Sequence, residues 1–137
     1  MKVETYHLPT DLVLMVHAAT SFPEGILASH QALHHLVPYS KERRYLGLSR
    51  PEKGMIVYYA AAETLGPEEP AQLALETLVL PKGNYCSVMV ADYQAHPLSF
   101  KQAFDFLIQQ PNLDPQGYCI EWYLSEKEAR CMVRVID

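Results

Sequence analysis

The sequence lacks most of the features that announce a function outright. No apolar run approaches the length of a membrane span, and the opening Met1-Lys2-Val3-Glu4 has no signal-peptide apolar core. A cytoplasmic location without membrane contact is therefore expected. Cysteine is scarce. Cys86, Cys119 and Cys131 are odd in number and lie in apolar, strand-like runs without Cys-x-x-Cys spacing. They read as reduced core residues, and neither a disulfide framework nor a zinc site is implied. Positive charge is also short, with 11 Lys and Arg against 16 Asp and Glu and a net charge of −5. The one basic cluster, Lys41-Glu42-Arg43-Arg44, is interrupted by an acid, and the chain leaves no room for a helix-turn-helix module ahead of the fold. Direct nucleic-acid binding is not expected. There is no glycine-rich phosphate loop and no Gly-x-Ser-x-Gly elbow, so nucleotide binding and serine hydrolysis have no support and no cofactor is called for.

What is present is an ordinary globular composition, 49% apolar and 20% charged over 137 residues, enough for one domain with a real core, residues 1–137. The chain also repeats itself. Glu4-Thr5-Tyr6-His7-Leu8-Pro9 recurs 72 residues later as Glu76-Thr77-Leu78-Val79-Leu80-Pro81, each copy strand-like and ended by a proline. Each then runs through a short turn into a second apolar strand, Leu12 to Ala18 and Tyr85 to Ala91. A helix follows in both halves. In the first, Ser21, Pro23 and Glu24 suit a helix start with a capping box, Phe22, Ile26, Leu33 and Val37 form an apolar stripe, and Pro38 is the stop. In the second, Pro97 starts the helix, Phe100, Ala103, Phe104 and Leu107 form the stripe, and Pro111 ends it. Tyr45 to Leu48 and Met55 to Ala62 then flank a turn at Arg50 to Gly54. Tyr118 to Leu124 and Ala129 to Ile136 flank Ser125 to Glu128. The loop Gly66-Pro67-Glu68-Glu69-Pro70 joins a first half, 1–66, to a second, 72–137. The prediction is an α+β domain made of a duplicated strand-strand-helix-strand-strand unit about a pseudo-twofold axis, helices covering one side of the sheets.

One carboxylate stands out in this pattern. Gly117-Tyr118-Cys119-Ile120-Glu121-Trp122-Tyr123 is dense in strand formers, and period two puts Cys119, Glu121 and Tyr123 on one face and Tyr118, Ile120 and Trp122 on the other. Tyr45 and Tyr118 are 73 residues apart, and at that offset the counterpart of Glu121 is Leu48. The fold therefore accepts an aliphatic side chain there, and only the second half carries an acid. Trp122, opposite in the pleat, is expected to pack beneath a helix. Glu63 reads as a rim residue at a strand end, with a second pocket acid as the alternative. His30 and His34 stand one helical turn apart, but no third ligand appears at matching spacing, so no metal site is assigned.

Three segments together resemble a known family. Leu80-Pro81-Lys82-Gly83-Asn84-Tyr85 is similar to its Gly-x-Tyr strand start. Gly117 to Tyr123 is similar to its Glu-x-Tyr strand, and Tyr45-Leu46-Gly47-Leu48-Ser49-Arg50-Pro51 with Tyr58-Tyr59-Ala60-Ala61-Ala62-Glu63 to its first-half hairpin. The family is the gyrase-inhibitor-like small-molecule-binding domain, the effector-binding domain of bacterial multidrug-responsive transcription activators. The resemblance implies two SH2-like halves with a central ligand cleft, lined by aromatic residues around one acid. Glu121 matches the pocket acid and Tyr123 the tyrosine two residues on. Tyr85, Tyr58 and Tyr45 stand where pocket aromatics are found.

A stand-alone small-molecule-binding domain for cationic or lipophilic compounds is the function this implies. A carboxylate under aromatic walls is costly to desolvate until a cation compensates it, and each cation–π contact adds about 0.5–2 kcal/mol. Two alternatives come from other classes. One is a hydrolase of strained cyclopropane-type electrophiles, with Glu121 as its catalytic acid or base and Glu63 as a possible second carboxylate. The other is a docking protein for gyrase or a regulator, where the acidic balance suits a basic partner surface.

Overall fold

The computed structural model describes residues 1–136 and is α+β. No helix in it is long and apolar enough to cross a membrane. The chain folds as two compact units. The first runs from Asp11 to Leu80, and the second joins Met1–Thr10 to the chain from Pro81 onward.

The first unit holds β2 (Leu12–Ala18), α1 (Ile26–Leu36), β3 (Tyr45–Glu52), β4 (Met55–Glu63), α2 (Glu69–Gln72) and β5 (Glu76–Leu80). Its strands are antiparallel neighbours in the order β3-β4-β2-β5. The second unit holds β1 (Glu4–Leu8), β6 (Gly83–Ala91), α3 (Ser99–Leu107), β7 (Cys119–Tyr123) and β8 (Glu128–Arg134), ordered β1-β6-β8-β7. The two units are therefore not the two sequence halves. The leading strand of each half is built into the sheet formed by the other half. Pro9 and Pro81 end β1 and β5, and no hairpin bond ties either strand to the one that follows it. The repeat persists in these borrowed strands, which share the same alternation of exposed and buried positions, closing on fully buried Leu8 and Leu80.

Each helix covers one face of its sheet. In the first unit Leu33 and Val37 pack on Met15, Ala60 and Ala62. In the second, Ala103 and Leu107 pack on Cys86, Val88, Cys131 and Val133, with Phe100 and Phe104 half-buried beside them. The apolar stripe of α3 holds as read. That of α1 is shorter, because Phe22 lies outside the helix and is 41% exposed. The helix start also differs from expectation. Gly25 is the N-cap with no side-chain cap, so Ser21 and Glu24 form no capping box, and the Ser21 carbonyl accepts the Gly25 N–H at 3.2 Å instead.

The ladders fix the internal register. Val16 lies between Glu76 and Ala61 as Ser87 lies between Glu4 and Met132. Cys131 therefore answers to Ala60, and Glu121, opposite Cys131, answers to Gly47, opposite Ala60. Ile120 and Leu46, both fully buried, confirm the match. The counterpart of Glu121 is Gly47 and not Leu48: the connection from Ser87 to Glu121 is three residues longer than that from Val16 to Gly47, which defeats a constant offset. The asymmetry itself stands, since only one copy holds an acid.

α2 has no sequence forecast. Its four residues have no buried side chain of their own. Arg43, 6% exposed, grips Glu69 with two parallel bonds of 2.9 Å and donates a third of 2.9 Å to the Glu63 carbonyl. A bidentate pair of this kind fixes a short helix that propensity alone would not form.

Candidate functional site

Glu121 sits in the middle of β7, on the face that α3 covers. Cys131 opposite it belongs to the core under α3, and Cys119 on the same face packs against that core. Glu121 is half-buried, neither lost in the core nor fully in water. The Tyr123 hydroxyl donates to its carboxylate Oε1. Two residues apart on one strand face, these side chains meet because the pleat brings i and i+2 to the same side.

Aromatic rings close around Tyr123. Phe100, from the first turn of α3, has its centroid 6.1 Å from that of Tyr123, and Tyr93 lies 5.7 Å away, stacked on Phe100 at 5.3 Å. Tyr93 comes from the loop just beyond β6, after Asp92 turns the chain with a φ of 50°. Its hydroxyl donates to the Ser125 carbonyl at 2.9 Å, which anchors the ring, and burial pushes its phenol pKa up. The thiols beneath stay protonated. Burial, then the neighbouring Glu121 carboxylate, pushes Cys119 up to about 11, and burial followed by Glu121 and Cys119 raises Cys131 as well. The result is a carboxylate bonded to a tyrosine in a cluster of three rings, with neutral thiols on the same sheet face.

The other sequence candidates each have partners within their own unit. Tyr85 pairs with Tyr6 and Arg134, on the sheet face away from α3, and is fully buried with its hydroxyl on the Pro81 carbonyl at 2.5 Å. The pleat thus separates Tyr85 from Glu121, and its hydroxyl serves a strand end. Trp122 lies on that same far face, not beneath a helix. Arg130, opposite Trp122 on β8, stands 5.8 Å from its ring centroid and 4.7 Å from that of Tyr6, and donates to the Ser87 hydroxyl at 2.8 Å. The tryptophan packs in this cation–π stack.

Tyr58 and Tyr45 belong to the first unit, on the face covered by α1. Tyr58 is 2% exposed and shares a 2.7 Å hydrogen bond with His30 Nε2. Burial, with a smaller push from His34, lowers the His30 pKa to about 4, so that imidazole is neutral at physiological pH. Tyr45 accepts the Ser40 N–H at 3.0 Å, and its ring lies between those of His34 and Tyr39. The histidine pair is thus used in a hydrogen-bonded aromatic row. Glu63 accepts the Arg44 backbone N–H at 3.0 Å and pairs with its guanidinium at 3.4 Å, a clamp at a strand end.

Two members of the aromatic rim escaped sequence reading. Phe100 was legible as a helix-stripe residue and not as a wall of the site. Tyr93 carries only a weak signal, an aromatic in a polar loop between a strand and a helix.

No protein-family model and no curated protein matches the sequence. Solved structures do resemble it. An integron cassette protein from the mobile metagenome of Vibrio cholerae superposes with a TM-score of 0.68 at 13% identity, over 98% of this chain and 95% of that one. The EcmrR C-terminal domain gives 0.65 at 14% identity, over 99% and 98%. SAV2435 bound to tetraphenylphosphonium gives 0.59 at 20% identity, over 98% and 94%. The chain has the gyrase-inhibitor-like α+β fold that its motifs resemble.

Proposed function

We propose that this chain is a small-molecule-binding domain that receives lipophilic cations at Glu121, against the rings of Tyr123, Phe100 and Tyr93. The observation that carries the reading is the half-buried Glu121 carboxylate, held by the hydroxyl of Tyr123, whose ring meets those of Phe100 and Tyr93, at a position where the other repeat has Gly47. A glycine in the equivalent position shows that the strand pairing needs no acid, so the carboxylate is available for function. Aromatic faces and one negative charge attract a delocalised cation without demanding a fixed ligand shape, the balance a broad binder needs. A neighbour of the same fold, SAV2435, holds such a cation, tetraphenylphosphonium, which supports the ligand class. The Glu63 carboxylate, which a hydrolytic reading would enlist as a second acid, is engaged with Arg44.

The test is a fluorescence titration with a cationic lipophilic dye such as rhodamine 6G. Micromolar binding is expected for the wild type, and Glu121→Gln should weaken it tenfold or more, about 1.4 kcal/mol. Equal affinity in the two proteins would remove Glu121 from the site.

A further inference from the structure

A concavity lies wholly within the first unit, with neither Glu121 nor Tyr123 in its lining. It measures about 560 Å³ and runs between the segment that leaves β2, Ala18 to Phe22, and the β3–β4 hairpin from Glu52 to Tyr59. Its volume is within the range of about 300–1,000 Å³ typical of small-molecule sites. Its walls are mostly apolar, with Thr20 and Ser21 on the side of the segment leaving β2. Phe22 and Tyr58 stand with centroids 6.1 Å apart, and Met55, Ile56 and Phe22 are 72%, 43% and 41% exposed.

The polar groups of the groove follow from strand geometry. Lys53 and Gly54 form a two-residue turn with φ of 53° and 82°, closing the hairpin at the Glu52–Met55 pair. Hydrogen-bonded and non-bonded pairs alternate from that closing pair. Pro51–Ile56 is therefore a non-bonded pair, which suits a proline without an N–H, and Ile56 directs its own N–H and C=O away from β3. Two residues on, the Tyr58 carbonyl points the same way and accepts the Ala19 N–H at 2.9 Å. β2 pairs no further than Ala18 with Tyr59, so beyond Ala19 this edge of β4 has no neighbouring strand among the described residues. The Ile56 N–H thus faces the groove as a backbone donor. The charges nearby are uneven. Glu52 is paired with Arg50 at 2.8 Å, whereas Lys53 at the rim has no ion pair among the described residues.

We infer that this groove binds an amphipathic carboxylate, its head group between the Ile56 N–H and the Lys53 ammonium and its aryl or alkyl body against Phe22, Ile56 and Tyr58. One backbone donor beside one unbalanced cation suits a single anionic head. The open edge offers one residue's donor and acceptor, too short for an added peptide strand, which would need a longer row. This site is independent of the cation site and opposite to it in charge preference.

The experiment titrates the full chain with 2-naphthoate, 2-naphthylmethanol and 2-naphthylmethylammonium, read by amide NMR shifts. Naphthoate should move the Ile56, Lys53 and Phe22 amides saturably, with the alcohol at least tenfold weaker and the ammonium weaker still. Lys53→Asn, which suits the left-handed turn conformation, should weaken naphthoate tenfold, and Phe22→Ser should do the same while leaving dye binding at Glu121 intact. No shift at these amides, equal affinity for the three compounds, or unchanged affinity in Lys53→Asn would overturn the assignment. Two separate proteins carrying Lys53→Asn and Phe22→Ser, both on exposed side chains, guard against misreading a folding defect.

Discussion

At the scale of single residues, the molecule uses the same side-chain types in opposite ways on the two helix-covered faces. Beneath α3, the Tyr123 hydroxyl donates to a half-buried acid. Beneath α1, the Tyr58 hydroxyl bonds a half-buried imidazole whose pKa is lowered to about 4. That depression has a measurable consequence. Between about pH 4 and the unperturbed value of 6.5, the unfolded chain protonates His30 and the folded one does not, so stability falls as pH falls through this window. The contribution is fully present above pH 6.5 and amounts to about 3 kcal/mol at most. Urea unfolding of the wild type at pH 7.5 and pH 5 should show this loss, and His30→Gln should flatten the dependence. An unchanged pH slope in the variant would mean that other groups carry it.

At the scale of elements, the strands were legible because aromatic and β-branched runs between prolines and polar turns have little choice of structure. Leu12–Ala18 begins and ends where the pattern puts it. β3 runs on to Glu52 because Lys53 and Gly54 alone make the turn, so Arg50 and Pro51 are strand residues. What pattern could not supply was non-local. The exchange of β1 and β5 between sheets depends on pairing partners about 70 residues away in sequence, and local alternation is blind to the partner. The placement of Trp122 failed for a related reason. The pleat separates it from Glu121 in either case, but which face the helix takes is decided by where α3 finds Cys131 and Val133. α2 was invisible because it is held by Arg43 and not by its own residues. Glu69→Ala should therefore cost about 2–3 kcal/mol in denaturant unfolding, since it strands a buried guanidinium. A loss under 0.5 kcal/mol would show that the pair contributes no more than a surface bridge.

At the scale of the whole molecule, duplication supplies two scaffolds of one design, and divergence supplies their chemistry. The first unit uses Tyr58 and Tyr45 in internal bonds to His30 and Ser40, while the second places an acid where the first has glycine. The central claim is that this acid selects a lipophilic cation by charge against an aromatic wall. The most direct measurement compares tetraphenylphosphonium with tetraphenylborate, ions of matching shape and opposite charge, by calorimetry with amide shifts read on β7. The phosphonium should bind with micromolar affinity and move the Glu121 and Tyr123 amides. The borate should leave those amides still, and Glu121→Gln should erase the difference between the two ions there. Equal shifts on β7 from both ions in the wild-type protein, or a preference for the cation that survives Glu121→Gln, would contradict the account.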